Sequence, residues 1–132
     1  MDSISVTVDL PMDAAEQAVR AALAEEGFGV LTEIDVAATL RAKIGVERPP
    51  LKILGACNPN IAYQALEVDP TVSLLLPCNV VLTQGPGGTT ISTAYPSQLL
   101  TDERLADLAD DAGQRLQRAL GRVASGPSAP PA

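Results

Sequence analysis

The chain has 132 residues, 46% of them hydrophobic and 19% charged, a balance that fits one compact domain better than two domains or a disordered chain. It contains no histidine, which excludes Ser-His-Asp and Cys-His hydrolases, and its two cysteines cannot build a four-thiolate zinc or iron-sulfur site within one copy. Sixteen acids against nine bases leave a net charge of −7, which repels a phosphate backbone and argues against nucleic acid as a partner.

Ile4, Val6, Val8 and Leu10 alternate with Ser5, Thr7 and Asp9, the period of a half-buried first strand. Met12, Ala15, Val19, Ala22 and Leu23 then recur at helical spacing behind Pro11, and Gly27 is placed to end that helix. Phe28 to Ile34 reads as the second strand. Asp35 is placed to cap a short helix carrying Val36, Leu40 and Ile44 until Gly45 stops it. Val46 to Pro50 reads as a loop, because Pro49 and Pro50 lack the N–H a ladder needs.

Leu51 to Cys57 is the third strand, and Asn58-Pro59 opens a helix that runs to Val68 and closes at Asp69-Pro70. Thr71 to Gln84 is nearly continuous β-former, so a strand kinked at Pro77-Cys78, or two short strands, is expected there. Gly85-Pro86-Gly87-Gly88 is a turn and Thr89 to Tyr95 the returning strand. From Thr101, the residues Leu105, Leu108, Ala109, Ala112, Leu116, Ala119, Leu120 and Val123 mark one face of a long last helix. Residues 1–124 are thus read as one domain and residues 125–132, SGPSAPPA, as a disordered tail. The order β-α-β-α-β-α-β-β-α predicts an α+β fold, a single layer of helices on a largely antiparallel sheet.

The start of the chain lacks a basic segment followed by an apolar one, and no apolar run approaches the ~18 residues of a bilayer span. The expected location is cytoplasmic, with no membrane partner and with Cys57 and Cys78 reduced. With only Phe28, Tyr63 and Tyr95 aromatic, stacking platforms for bases or flavins are nearly absent, and no cofactor is implied.

Two segments repeat a Cys-Asn pair beside a proline: Cys57-Asn58-Pro59 and Pro77-Cys78-Asn79. Cys57 immediately precedes a helix N-terminus, where free N–H groups favour a thiolate. Residues 41–52 also concentrate Arg41, Lys43, Arg48 and Lys52 against Glu47 alone, which would suit a small anion. Each feature has a plainer explanation. Free cysteines often pack as small hydrophobes, Asn58 is explained as a helix cap, and the basic stretch reads equally as a solvated face. The acid pairs Glu25-Glu26 and Asp110-Asp111 read as helix surface, and Asp35 as a cap. No defended geometry supports a hydrolase built on Glu33 and Asp35.

The stretches GFGVLTEIDVAATLRAKIGVE and LKILGACNPNIAYQALEVDPTVSLLLPCNVVL, with the exit at Ala94-Tyr95-Pro96, resemble the domain of unknown function 302 family. The resemblance runs from about residue 3 to residue 123. It implies a small α+β domain with a layout similar to the TATA-binding protein, paired as a homodimer, and it implies no activity. The family's distinctive blocks fall on Gly55, Cys57, Asn58, Pro59, Leu76, Pro77, Cys78 and Asn79, and the chain departs from the pattern at Pro49-Pro50.

Two functional expectations follow. One is a module with a cleft at Cys57 and Cys78 that binds a small anionic ligand or senses oxidants. Cys57 is then the reactive thiol, Cys78 its resolving partner, Arg48 and Lys52 the source of positive potential, and Asn58 and Asn79 the flanking donors. The other is a dimerisation or interaction module whose cysteines are packing. A pocket beside the sulfurs, or its absence, discriminates between them.

Overall fold

The computed structural model describes residues 1–126; of the disordered tail expected over 125–132, residues 127–132 lie outside that range. The alternating segments become β1 (Ser3–Val8), β2 (Gly29–Asp35), β3 (Leu51–Cys57), β4 (Cys78–Gly85) and β5 (Gly88–Ala94). The helical ones become α1 (Met12–Glu25), α2 (Val36–Ile44), α3 (Pro59–Val68), α4 (Pro96–Leu99) and α5 (Ala106–Ala124). One sheet of order β1-β5-β4-β3-β2 forms, antiparallel at every junction, so the chain's first strand closes against its last. The α+β architecture read from the sequence is the one observed.

Several boundaries follow from side-chain chemistry. Asp35 caps α2, its Oδ1 accepting the Ala38 N–H at 2.9 Å, and Gly45 ends that helix with φ of 69°. Asn58 caps α3 in the same way, with Pro59 at the first helical position. Pro86-Gly87 makes the two-residue turn between Gly85 and Gly88.

Three expectations are corrected. Thr71 to Leu76 is not strand: Pro70–Leu75 forms a 3-10 segment, and β4 starts only at Cys78. The β-branched composition lost to a local cap, because Asp69 Oδ1 accepts both the Thr71 N–H, at 2.9 Å, and its hydroxyl, at 2.7 Å, and so turns the chain. The short α4 was not anticipated. The last helix begins at Ala106 rather than Thr101, preceded by a 3-10 turn at Glu103–Leu105 that Asp102 caps through the Arg104 N–H.

The core lies on one face of the sheet. Leu54, Val80, Leu82 and Ile91 are fully buried against Val19 and Leu23 of α1 and Leu116 and Leu120 of α5. Each such leucine contributes about 1.5–3 kcal/mol by leaving water. A satellite cluster of Ala65, Val72 and Leu105 ties α3, the 3-10 segment and the entry to α5 together. By contrast α2 buries no residue.

The other face of the sheet differs in kind. Period-2 alternation turns Ser5 and Thr7 of β1, Thr90 and Ser92 of β5, and Asn79, Val81 and Thr83 of β4 away from the helices. Leu51 and Ile53 of β3 and Thr32 and Ile34 of β2 continue that face, and all of these residues are exposed or half-buried. The three charged residues that the strands contain, Glu33, Asp35 and Lys52, all fall on the helix side. Hydroxyls pair across the open face instead: Ser5 with Ser92 at 3.0 Å and Thr7 with Thr90 at 2.8 Å.

Charges concentrate where helices meet. Glu26 is 5% exposed, yet Arg118 lies 3.0 Å from its Oε1 and Arg122 3.0 Å from its Oε2, while the Arg115 Nη1 donates to its backbone carbonyl. Hydrogen bonds from Arg118, outweighing the desolvation of burial, hold the Glu26 carboxyl below the usual carboxylate range. A depressed folded value means the stabilisation is complete above about pH 4.3, the ordinary glutamate value, and is lost as pH falls through the lower folded one. Glu26→Gln should therefore cost about 1 kcal/mol at pH 7, a figure discounted for the half-exposed arginines. That deficit should be smaller at pH 3. Urea midpoints of both proteins at the two pH values check this, and a deficit equal at both would show the charge to be idle.

Candidate functional site

The register brings the two Cys-Asn pairs together. Ala56 of β3 faces Cys78 of β4 and Gly55 faces Asn79, while Cys57, the next residue, faces Gly29 of β2. The cysteines therefore occupy adjacent strands, one register step apart, at the same end of the sheet. Both are free and half-buried. Alternation places Cys78 on the helix side with Ala56, and Cys57 with Gly55 on the open side. A disulfide needs Cβ atoms about 3.8 Å apart and turned toward each other, which opposite faces do not provide. Burial pushes the Cys78 thiol up from its ordinary range, and the neighbouring Cys57 adds in the same direction.

The asparagines differ. Asn58 is buried and fully engaged: its Oδ1 accepts the Ile61 N–H and its Nδ2 donates to the Glu26 carbonyl, each at 3.2 Å. It fastens the start of α3 to the end of α1. Asn79 is exposed, and its backbone carbonyl accepts the Thr93 hydroxyl at 2.8 Å. Gly55 lies beneath Thr32 and Pro77, and a Cβ there would collide with both side chains. That close approach explains a glycine inside a strand.

Arg48 and Lys52 do not join the cysteines. Lys52 sits five residues up β3 from Cys57, about 16 Å at the usual rise. It points to the helix side, where its Nζ lies 2.8 Å from Glu16 and 2.7 Å from Glu33. Arg20 bridges the same two carboxylates at 2.9 and 3.0 Å. Hydrogen bonds that Lys52 donates to Glu16 and Glu33 raise its pKa, so its charge is committed to this network. Arg48 is exposed in the loop before β3, its Nε donating to the Pro49 carbonyl.

A cleft of about 540 Å³ opens beside Cys78. Leu74 and Leu75 of the 3-10 segment and Leu99 of α4 form its apolar wall, with Asn79, Val81 and Ser92 at its border with the open sheet face. Met1 to Ser3 complete it. Its lining includes no basic side chain, and Asp2 is its one acid. Leu74 is 85% exposed, an unusual position for a leucine. Sequence reading missed this wall because the three leucines before Pro77 looked like strand, and nothing local marks α4 as a rim.

A larger groove of about 790 Å³ runs between α1 and α5, floored by Ala18, Ala21, Ala22 and Gly121. The small residues explain it as close helix packing. Its charged lip is already satisfied: Arg122 pairs with Glu25 and Glu26, and Arg118 with Glu26. Among the described residues, no group of three or more Cys, Asp or Glu side chains is placed to hold a metal ion. Nor is any described helix long and apolar enough to cross a membrane.

Comparison with known proteins agrees with this geometry. The crystal structure of an uncharacterized conserved protein DUF302 from Bacillus stearothermophilus is similar, with a TM-score of 0.85 and 32% sequence identity over 92% of this chain and 98% of that one. No curated protein matches. A family model described as Domain of unknown function DUF302 matches residues 4–123, which span every strand but its first residue, both Cys-Asn pairs and nearly all of the last helix. On that match the chain belongs to the DUF302 family, an uncharacterised α+β domain.

Proposed function

We propose that this chain is a binding module for a small, uncharged, largely apolar molecule held in the cleft beside Cys78. One observation carries the reading: a cleft of ligand size is walled by exposed leucines and bordered by neutral hydrogen-bonding groups, with no basic side chain among its lining residues. Pockets for small molecules combine apolar walls with a few polar groups that set orientation, and Asn79 and Ser92 suit that task. The anionic ligand expected from residues 41–52 loses its support once Lys52 is committed to Glu16 and Glu33. The placement of Cys57 and Cys78 on opposite faces of the sheet denies the reactive thiol its resolving partner, which favours binding over oxidant sensing.

Titration with the neutral fluorophore 1-aminoanthracene tests this. A saturable rise in fluorescence with one site per chain is expected, weakened at least ten-fold by Leu75→Asp, which puts a charge into the wall at a position exposed enough to leave folding intact. The anionic dye 1-anilinonaphthalene-8-sulfonate should bind far more weakly. Absence of saturation, indifference to Leu75→Asp, or equal binding of the anion would each overturn the reading.

A further inference from the structure

We infer that α2 and the loop behind it dock an acidic segment of another protein, one that also carries apolar side chains. The chain has nine basic residues. Arg20, Lys52, Arg104, Arg115, Arg118 and Arg122 each lie 3.0 Å or less from a carboxylate. Among the described residues, the other three, Arg41, Lys43 and Arg48, have no acid within ion-pairing distance. All three fall in one short stretch at the end of α2 and the start of the loop. On a chain of net charge −7 they make a patch of uncommitted positive charge.

The same segment leaves apolar surface in water. Val36, Leu40 and Ile44 recur at every fourth position and share one face of α2, yet that face runs off the sheet: Val36 and Leu40 are half-buried and Ile44 is 67% exposed. The helical turn places Arg41 on one side of this stripe and Lys43 on the other. Val46 carries the apolar surface into the loop, and every residue from 41 to 50 is exposed. A helix of nine residues that buries none of them is not held by packing, and it is too short to persist by propensity alone. Caps hold it instead. Besides the bond from the Ala38 N–H to Asp35, the Thr39 hydroxyl donates to the Asp35 carbonyl at 2.8 Å, and the Gln84 N–H ties down the Pro50 carbonyl at 3.3 Å where the loop ends. A surface fixed without being buried loses little freedom when a partner covers it.

Charge complementarity selects the occupant. Carboxylates of the partner would pair with Arg41, Lys43 and Arg48, and its apolar side chains would cover Ile44 and Val46. A nucleic acid would leave Ile44 and Val46 uncovered, and the net charge of −7 repels its phosphates. An anionic bilayer extends beyond the patch and would face the chain's remaining acids as well. A peptide is narrow enough to meet the patch alone, since at physiological salt charges more than about 8 Å away are largely screened. The surface is separate from the cleft: α2 leaves the sheet where Asp35 faces Lys52, whereas Cys57 faces Gly29 at the other end of the same ladder.

Fluorescence polarisation of a fluorescein-labelled peptide of alternating glutamate and leucine, about eight residues long, titrated with the full chain, is the test. Saturable binding of one peptide per chain is expected. Arg41→Gln combined with Lys43→Gln should weaken it at least ten-fold and Ile44→Ser at least three-fold, with circular dichroism unchanged because α2 buries no residue. Arg48→Gln, in the loop, should weaken it at least three-fold and gives the same reading if the α2 variants do not fold. Arg104→Gln removes a cation already paired with Asp102 and should leave binding as it was. An absence of saturation, equal affinity for the peptide with lysine in place of glutamate, or indifference to the α2 and Arg48 substitutions would overturn the inference. Phosphatidylglycerol vesicles, or a second copy of the chain in sedimentation, held through Arg41 and Lys43 while the peptide is not, would overturn it too. The cleft is read separately by Leu75→Asp, which should leave peptide binding unchanged; loss of the peptide in that variant would assign it to the cleft and remove this inference.

Discussion

Leu82→Ala should lower the unfolding free energy by about 3 kcal/mol, the middle of the range for truncating a buried leucine whose surroundings relax only in part. Leu82 is fully buried on β4, the central strand, facing Ile91 of β5 and Lys52 of β3 along the ladder. Strands hold it on both sides and helices lie above it, so the cavity cannot collapse. Leu74→Ala removes the same atoms from a side chain that is 85% exposed, and should cost under about 0.5 kcal/mol. Urea unfolding of both variants at one protein concentration compares the two. Similar losses would mean that the two leucines had been assigned to the wrong environments.

Gly88→Ala should cost at least about 2 kcal/mol, although it adds only one methyl group. Gly88 has φ of 115°, a conformation that L side chains rarely adopt, and a Cβ there would run into the backbone carbonyl of Val8. Backbone on a paired strand cannot step aside as a flexible side chain can. The clash would force β1 away from β5, and with it the hydroxyl that Thr89 donates to the Leu10 carbonyl at 2.8 Å. Gly85, across the same turn, has open space around its missing Cβ and an ordinary φ. Gly85→Ala is therefore expected to be neutral, or to stabilise by about 0.4–1 kcal/mol through a stiffer unfolded chain. Thermal unfolding of the pair would expose an error in this account if the two substitutions behaved alike.

These two effects differ in how far they could be read from sequence. Leu54, Leu82 and Ile91 lie in segments legible as strands from their β-forming residues, although the face they share is set by the pairing of three strands. The helix caps at Asp35 and Asn58 were legible for a similar reason, since a cap acts within three residues of itself. The collision at Gly88 was not legible, because it depends on β1 lying beside β5, more than eighty residues away in the chain. Gly85-Pro86-Gly87-Gly88 announces a turn without saying which glycine is indispensable.

The candidate site divides along the same line. Cys57, Asn58, Cys78 and Asn79 stand out in the chain as a repeated dipeptide, but whether they meet is a matter of register, which a shift of one residue would reverse. The basic stretch misled for a related reason: Lys52 is near Arg48 in sequence, yet Glu16 and Glu33 fold back to claim it. Leu74 to Leu76 looked like strand until the Asp69 cap turned the chain and left them as a wall.

Composition and periodicity alone were enough to establish the α+β class, most of the strands and longer helices and the histidine-dependent chemistries the chain lacks, because these rest on residue identity and on interactions within a few residues. Which strands are neighbours, which face stays uncharged and open, and that a cleft lies beside Cys78 rather than beside Lys52 were decided only by tertiary pairing. Those properties belong to contacts between distant segments, and a pattern with a period of two or of 3.6 residues carries no information about distance in space.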